Sequence, residues 1–128
     1  MPSTEIRAFR DPVTRSTPVQ QWLDALEQRQ PKVYAKCLAR ILELAEKGFE
    51  MRRPHADFLR DGIYELRASF AGINYRLLYG FYAKDAVVLS HGITKQREVP
   101  SREIDLAMQR LQLVQLDVEK YTTDIEVE

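Results

Sequence analysis

The stretch Ile63-Tyr64-Glu65-Leu66-Arg67-Ala68-Ser69-Phe70-Ala71-Gly72-Ile73-Asn74-Tyr75-Arg76-Leu77-Leu78-Tyr79-Gly80-Phe81 decides the fold. In its first half Tyr64, Leu66, Ala68 and Phe70 alternate with Glu65, Arg67 and Ser69. In its second half Ile73, Tyr75, Leu77, Tyr79 and Phe81 alternate with Asn74, Arg76, Leu78 and Gly80. A period of two is that of a β-strand, and Ala71-Gly72 is a turn signal between two such runs. Pairing Phe70 with Ile73 puts Arg67 directly opposite Arg76, on the polar face of the hairpin. Like charges across a ladder are unfavourable unless something anionic is shared. That group can be a carboxylate such as Glu65 or Glu98, or the phosphate of a ligand, which a guanidinium fork suits.

Downstream, Lys84-Asp85 marks a second turn, and a third strand runs from Ala86 to about Ile93. Pro100 starts a last helix with Glu103 in its first turn and an apolar stripe of Ile104, Ala107, Met108 and Leu111. Upstream, Thr4 to Arg10 alternates as a short strand, and Asp11-Pro12 ends it. Thr17-Pro18 opens a helix, with Gln20 completing a capping box and Val19, Trp22, Leu23 and Leu26 forming one stripe. Pro31 separates a second helix carrying Val33, Cys37, Leu38, Ile41, Leu44 and Ala45, which Gly48 stops. Trp22 and Cys37 read as core residues within these stripes, and His55 as a structural loop residue.

The expected fold is therefore α+β. An antiparallel sheet, made of the N-terminal strand and a three-stranded meander, has a two-helix hairpin on one face and a C-terminal helix. Its other face is at least partly open.

A chain of 128 residues is the size of one domain and needs no disulfide or metal to fold. The single cysteine, Cys37, excludes an intrachain disulfide and a cysteine-rich metal site, and two histidines leave little for a histidine cluster. There is no apolar run of membrane-spanning length and no leader-like N-terminus, so the expected compartment is the cytoplasm. The net charge is zero, with 19 basic and 19 acidic residues. Residues 117–128 carry five of the acids and one of the bases, leaving the rest 18 basic against 14 acidic, a net of +4. We therefore expect one domain over 1–116 and a loose acidic tail over 117–128.

A third basic element follows the last strand: His91-Gly92-Ile93-Thr94-Lys95-Gln96-Arg97-Glu98. If that strand lies beside the Arg76 strand, Lys95 or Arg97 reaches the arginine pair. A cation cluster suits phosphodiester chemistry or nucleic-acid binding. Lysine can act as a base where neighbouring cations depress its pKa, and arginines can stabilise a phosphorane-like state. His91 fits either an acid–base or a packing role.

Several stretches together resemble the phage-derived, HigB-like branch of the RelE/ParE toxin superfamily. They are Pro18 to Leu26, Arg53-Pro54-His55, Leu59 to Arg67 with its Gly62-Ile63-Tyr64-Glu65-Leu66-Arg67 core, Asn74 to Tyr79, His91 to Lys95, and Val99 to Ala107. The resemblance reaches to about residue 116. It implies a RelE-like fold and the toxin of a bacterial type II toxin–antitoxin system. It further implies a metal-independent mRNA endonuclease without cofactors, working at the ribosome, in which the RNA 2′-hydroxyl attacks its own 3′ phosphate. Matched to this chain, Arg67, Arg76 and Lys95 are catalytic, and His91, Arg97 and Tyr79 contact RNA. The implied partner is an antitoxin with a helix-turn-helix DNA-binding domain. Gln96 stands where many relatives have a second lysine, and Glu98 adds an acid. Two other readings follow from these departures: a ParE-like DNA gyrase poison, and a degenerate phage-derived domain that only binds an antitoxin-like partner.

Overall fold

The computed structural model describes residues 4–94 and 97–126. Six strands and four helices follow one another: β1 (Glu5–Phe9), α1 (Pro18–Arg29), α2 (Pro31–Lys47), a short 3-10 turn (Gly48–Glu50), β2 (Ala56–Arg60), β3 (Ile63–Phe70), β4 (Ile73–Ala83), β5 (Ala86–Thr94), α3 (Ser101–Leu116), α4 (Val118–Tyr121) and β6 (Thr122–Asp124). The architecture is α+β, with one sheet in the order β2-β3-β4-β5-β1-β6. No helix among the described residues is long and apolar enough to cross a membrane.

The meander forms as the alternation requires. Phe70 pairs with Ile73 and Arg67 with Arg76, and Ala71 and Gly72 both have positive φ, at 52° and 79°. Two successive left-handed residues make a tight hairpin turn whose twist matches that of the strands. The sheet itself is mixed, because β1 runs parallel to β5, Ile6 beside Val87. Alternation sets which face a side chain takes but carries no information on strand direction.

Two further strands extend the expected sheet. Before β3, Asp61-Gly62 makes a second tight turn with φ of 53° and 83°, and β2 pairs antiparallel to β3 at the sheet edge. At the other edge, residues 117–126 fold back rather than hang loose. β6 pairs with β1, Arg7 bonds Thr122 Oγ1 at 3.1 Å and the Asp124 carboxylate, and the Gln20 side-chain amide binds the Glu126 backbone through both its groups, at 2.9 and 2.8 Å. That use of Gln20 replaces the expected capping box: Thr17 makes no side-chain cap bond.

Helices lie on both faces, but α3 covers only part of the second, and Arg67 and Ser69 on that face stay accessible. α1 and α2 pack Val19, Leu23, Cys37, Ile41 and Leu44 on Leu66, Ala68, Tyr75, Leu77 and Leu89. α3 packs Ile104, Ala107, Leu111 and Val114 on Ile63, Leu78, Val88 and Ile93. Leu78 is the apolar member of the otherwise polar set of β4, and α3 is what it meets. Two glycines admit the helices closely. A Cβ at Gly92 would lie 2.1 Å from the Trp22 ring, and one at Gly80 2.8 Å from Leu111. Trp22, seated over Gly92, donates to Thr94 Oγ1 at 3.1 Å and ties α1 to the end of β5.

Candidate functional site

The Arg67–Arg76 pair lies on the face turned away from α1 and α2, since Leu66, Ala68, Tyr75 and Leu77 take the other. The anion they share is Glu65, two residues before Arg67 and so on the same face. Glu65 is 2% exposed and Arg76 5%. Arg76 Nε stands 2.8 Å from Glu65 Oε1, and Arg67 Nε donates to Glu65 Oε2 at 3.0 Å. Arg67 Nη2 also reaches Asp57 Oδ2 on β2 at 3.2 Å, and Asp57 binds Arg53 at 3.0 Å. The result is an alternating chain, Arg76–Glu65–Arg67–Asp57–Arg53, from the sheet interior to its edge. Three cations against two carboxylates leave it one positive charge. The Arg53 hydrogen bond, with the charges of Arg53 and Arg67 behind it, holds Asp57 below the usual carboxylate range.

Burial divides the two arginines. Arg76 is enclosed, and its Nη2 donates to the Arg97 carbonyl at 3.1 Å. It thereby tethers the segment after β5 to the middle of β4. Arg67 stays partly accessible, and its bonds to Glu65 and Asp57 use Nε and Nη2. Among the described residues neither carboxylate engages Nη1.

The remaining sequence-derived residues distribute unevenly. Lys95 lies outside the described residues. Its chain neighbours flank the cluster: Thr94 pairs with Tyr75, and the Arg97 carbonyl takes the Arg76 bond. Arg97 itself is exposed, on an open groove of about 680 Å³ that it shares with Arg60 and the start of α3. Glu98 lines that groove rather than pairing with the arginines. Tyr79 is not brought to the cluster. Its offset of three from Arg76 turns it to the opposite face, where it is 1% exposed and stacks on Tyr64 at 5.3 Å. Burial pushes its hydroxyl well above the ordinary tyrosine range.

His91 is on the same face as Arg76 but buried under α3. Ser90 Oγ stands 2.7 Å from Nδ1, Arg110 Nη1 stands 3.4 Å from the same nitrogen, and Nε2 meets Glu103 Oε1 at 2.8 Å. With donors at Nδ1 and a carboxylate at Nε2, the fitting form is the neutral ring with its proton on Nε2. Burial lowers its pKa, the Arg110 charge adds to that, and the Glu103 hydrogen bond opposes it. The group then binds a proton in the unfolded chain, near pH 6.5, that the folded chain refuses. Its stabilising contribution is complete above that value and declines as pH falls through it. Unfolding in urea at about pH 7.5 and about pH 5.5 should show a stability loss at the lower pH that His91→Gln reduces.

Asp57 and Arg110 were not singled out by the sequence, and Arg53 and Glu103 were read there only as part of a family stretch and of a helix start, not as site residues. Cys37 offers no nucleophile, since burial pushes its thiol up to about 12. Among the described residues no group of three or more His, Cys, Asp or Glu is placed to hold a metal ion.

An antiparallel run of four strands, β2 to β5, carries the cross-strand arginine pair within residues 21–112, with α2 and most of α1 and α3 against it. Those residues match the family model described as Phage derived protein Gp49-like (DUF891). The match covers more than half of the chain, and the chain belongs to that family, one of type II toxin–antitoxin toxins of the RelE/HigB-like kind. The family implies an antitoxin partner. No curated protein matches the chain.

Proposed function

We propose that the chain is a HigB-like toxin of RelE-like arrangement that cleaves mRNA in the cytoplasm, at the ribosome and without a metal ion. Its activity would be silenced by an antitoxin carrying a helix-turn-helix domain. The observation that supports it most is the division of labour in the arginine pair. Arg76 is spent on Glu65 and on the segment after β5, while Arg67, oriented by Glu65 and Asp57, keeps a guanidinium edge for a phosphate.

In this reading the 2′-oxygen forms a bond to the adjacent phosphorus and the bond from phosphorus to the 5′-oxygen breaks. The products are a 2′,3′-cyclic phosphate and a 5′-hydroxyl. The 2′-hydroxyl proton leaves to a base, for which Lys95 is the assigned residue, and the 5′-oxygen gains a proton. Arg67 neutralises charge that develops on the phosphate oxygens. Arg76 acts as a positioning residue.

Expression without the antitoxin should arrest growth, and Arg67→Ala should relieve the arrest. In a translating extract, with and without a chelator, Arg67→Ala should slow message cleavage on the order of a hundredfold, about 3 kcal/mol in the barrier. Arg67→Lys should recover part of it. A folded Arg67→Ala protein that still cuts at the wild-type rate would remove Arg67 from the chemistry. The neutralising carboxylates Glu65 and Asp57 favour a second reading, a toxin-like domain that binds its partner without cutting RNA. Arrest with intact messages and inhibited DNA supercoiling would instead point to gyrase.

A further inference from the structure

At the free edge of β2, away from the arginine pair, Phe49 and Phe58 border one cavity of about 600 Å³. They are 51% and 53% exposed. Each is braced from behind by a second ring. Phe49 stacks on Phe81 with centroids 3.8 Å apart and planes 11° from parallel. Phe58 meets Tyr64 edge-on at 5.1 Å. Rings so held, with an outer surface in solvent, are platforms for a flat ligand rather than loose apolar side chains.

Two arginines stand beside the rings, with Met51, Ala56, Tyr64 and the carboxylate of Asp57 completing the wall. Arg52 is pinned by its own loop, donating to the Phe49 and Met51 carbonyls, and the Arg53 side chain is 76% exposed. The cavity reaches around β2 to Asp57, whose carboxylate binds both Arg53 and Arg67. It therefore abuts the cluster assigned to the phosphate.

Aromatic faces beside arginines that track a backbone are how single-stranded nucleic acid is held. We propose that this cavity is a base-stacking subsite: an unpaired base flanking the scissile phosphate lies on Phe49 and Phe58, and its own phosphate meets Arg53 and Arg52. The proposal rests on the RNA reading of the arginine cluster and extends that site to the sheet edge.

The test uses the full chain and a short single-stranded oligonucleotide carrying the fluorescent base 2-aminopurine, with 2′-deoxy sugars throughout so that it cannot be cut. Binding is followed by quenching of the base, and the same variants are assayed for message cleavage in a translating extract. Phe49→Ala and Phe58→Ala should each weaken binding about tenfold, the loss of a base–aromatic stack, reduce the quenching, and slow cleavage in parallel. Phe58→Trp should bind as well as wild type, while Phe58→Leu, equally apolar but without a ring, should lose as much as alanine. Both side chains are half in solvent, and thermal melts should show the variants folded.

Wild-type binding and quenching by Phe58→Leu would overturn the subsite and mark the cavity as an apolar surface for a protein. Undiminished binding in both alanine variants, with cleavage still dependent on Arg67, would overturn the subsite and leave the RNA reading standing. A wild-type protein that neither binds nor cuts RNA would overturn both.

Discussion

Arg76→Ala is expected to cost about 3–5 kcal/mol of folding stability, a large share of the roughly 5–15 kcal/mol available to a domain. The cause is the carboxylate left behind. Glu65 is 2% exposed and Arg76 Nε lies 2.8 Å from it; removing the cation strands a buried charge. Arg67 remains at 3.0 Å but is shared with Asp57. Glu65→Ala should be similarly harmful, since it takes the carboxylate away from beside the enclosed Arg76. Replacing both partners by apolar residues of similar volume, as in Glu65→Leu with Arg76→Met, removes both charges together and should restore most of the loss. Urea unfolding of the two single variants and the double one gives the coupling directly. Additive losses in the double variant would mean that the pair is not coupled, and that Arg76 matters through packing or its bond to the Arg97 carbonyl. This result also limits how toxicity can be read. Loss of arrest in Arg76→Ala reports unfolding as readily as chemistry, so the informative substitution is at Arg67.

That distinction was only half legible in the sequence. The opposition of Arg67 and Arg76 followed from the period of two and a tight turn at Ala71-Gly72, because slipping the register by one would turn every apolar side chain of the hairpin outward. Glu65 could be named as a partner for the same reason. The burial of Arg76 and His91 could not be, since it depends on where α3 lands, and nothing local to β4 or β5 specifies that. Tyr79 illustrates the reverse. The alternation already grouped it with Tyr75 and Leu77, on the face opposite Arg76, and only the family resemblance drew it toward RNA. β2 went unread although Asp61-Gly62 is a strong hairpin signal: in Ala56-Asp57-Phe58-Leu59-Arg60 both alternating sets mix apolar and charged residues, so no period shows. The fold-back of residues 117–126 depends on Arg7 and Gln20, more than a hundred positions away, and separation of that kind leaves no local trace.

Lys95→Arg should lose message cleavage nearly as completely as Lys95→Ala, a fall of about a hundredfold to ten-thousandfold, while retaining RNA binding close to wild type. The residue follows β5 directly, after Thr94, whose partner is Tyr75 beside Arg76. Two positions later, the Arg97 carbonyl is held by Arg76. The described chain on both sides is thus tied to β4, and a lysine that reaches the phosphate acts in one of two ways. As a neutral amine it can take the 2′-hydroxyl proton. As an ammonium ion it can only offset charge on the phosphate. Arginine keeps the positive charge but cannot accept a proton near neutral pH, so Lys95→Arg separates the two roles where alanine cannot. The other candidate base, His91, is enclosed, with Ser90 and Arg110 at one nitrogen and Glu103 at the other. It is poorly placed to reach a ribose. If Lys95→Arg cuts at the wild-type rate, the residue is electrostatic and the proton goes to a tyrosine, to His91 or to solvent. If Lys95→Ala also cuts normally, Lys95 has no part in the reaction.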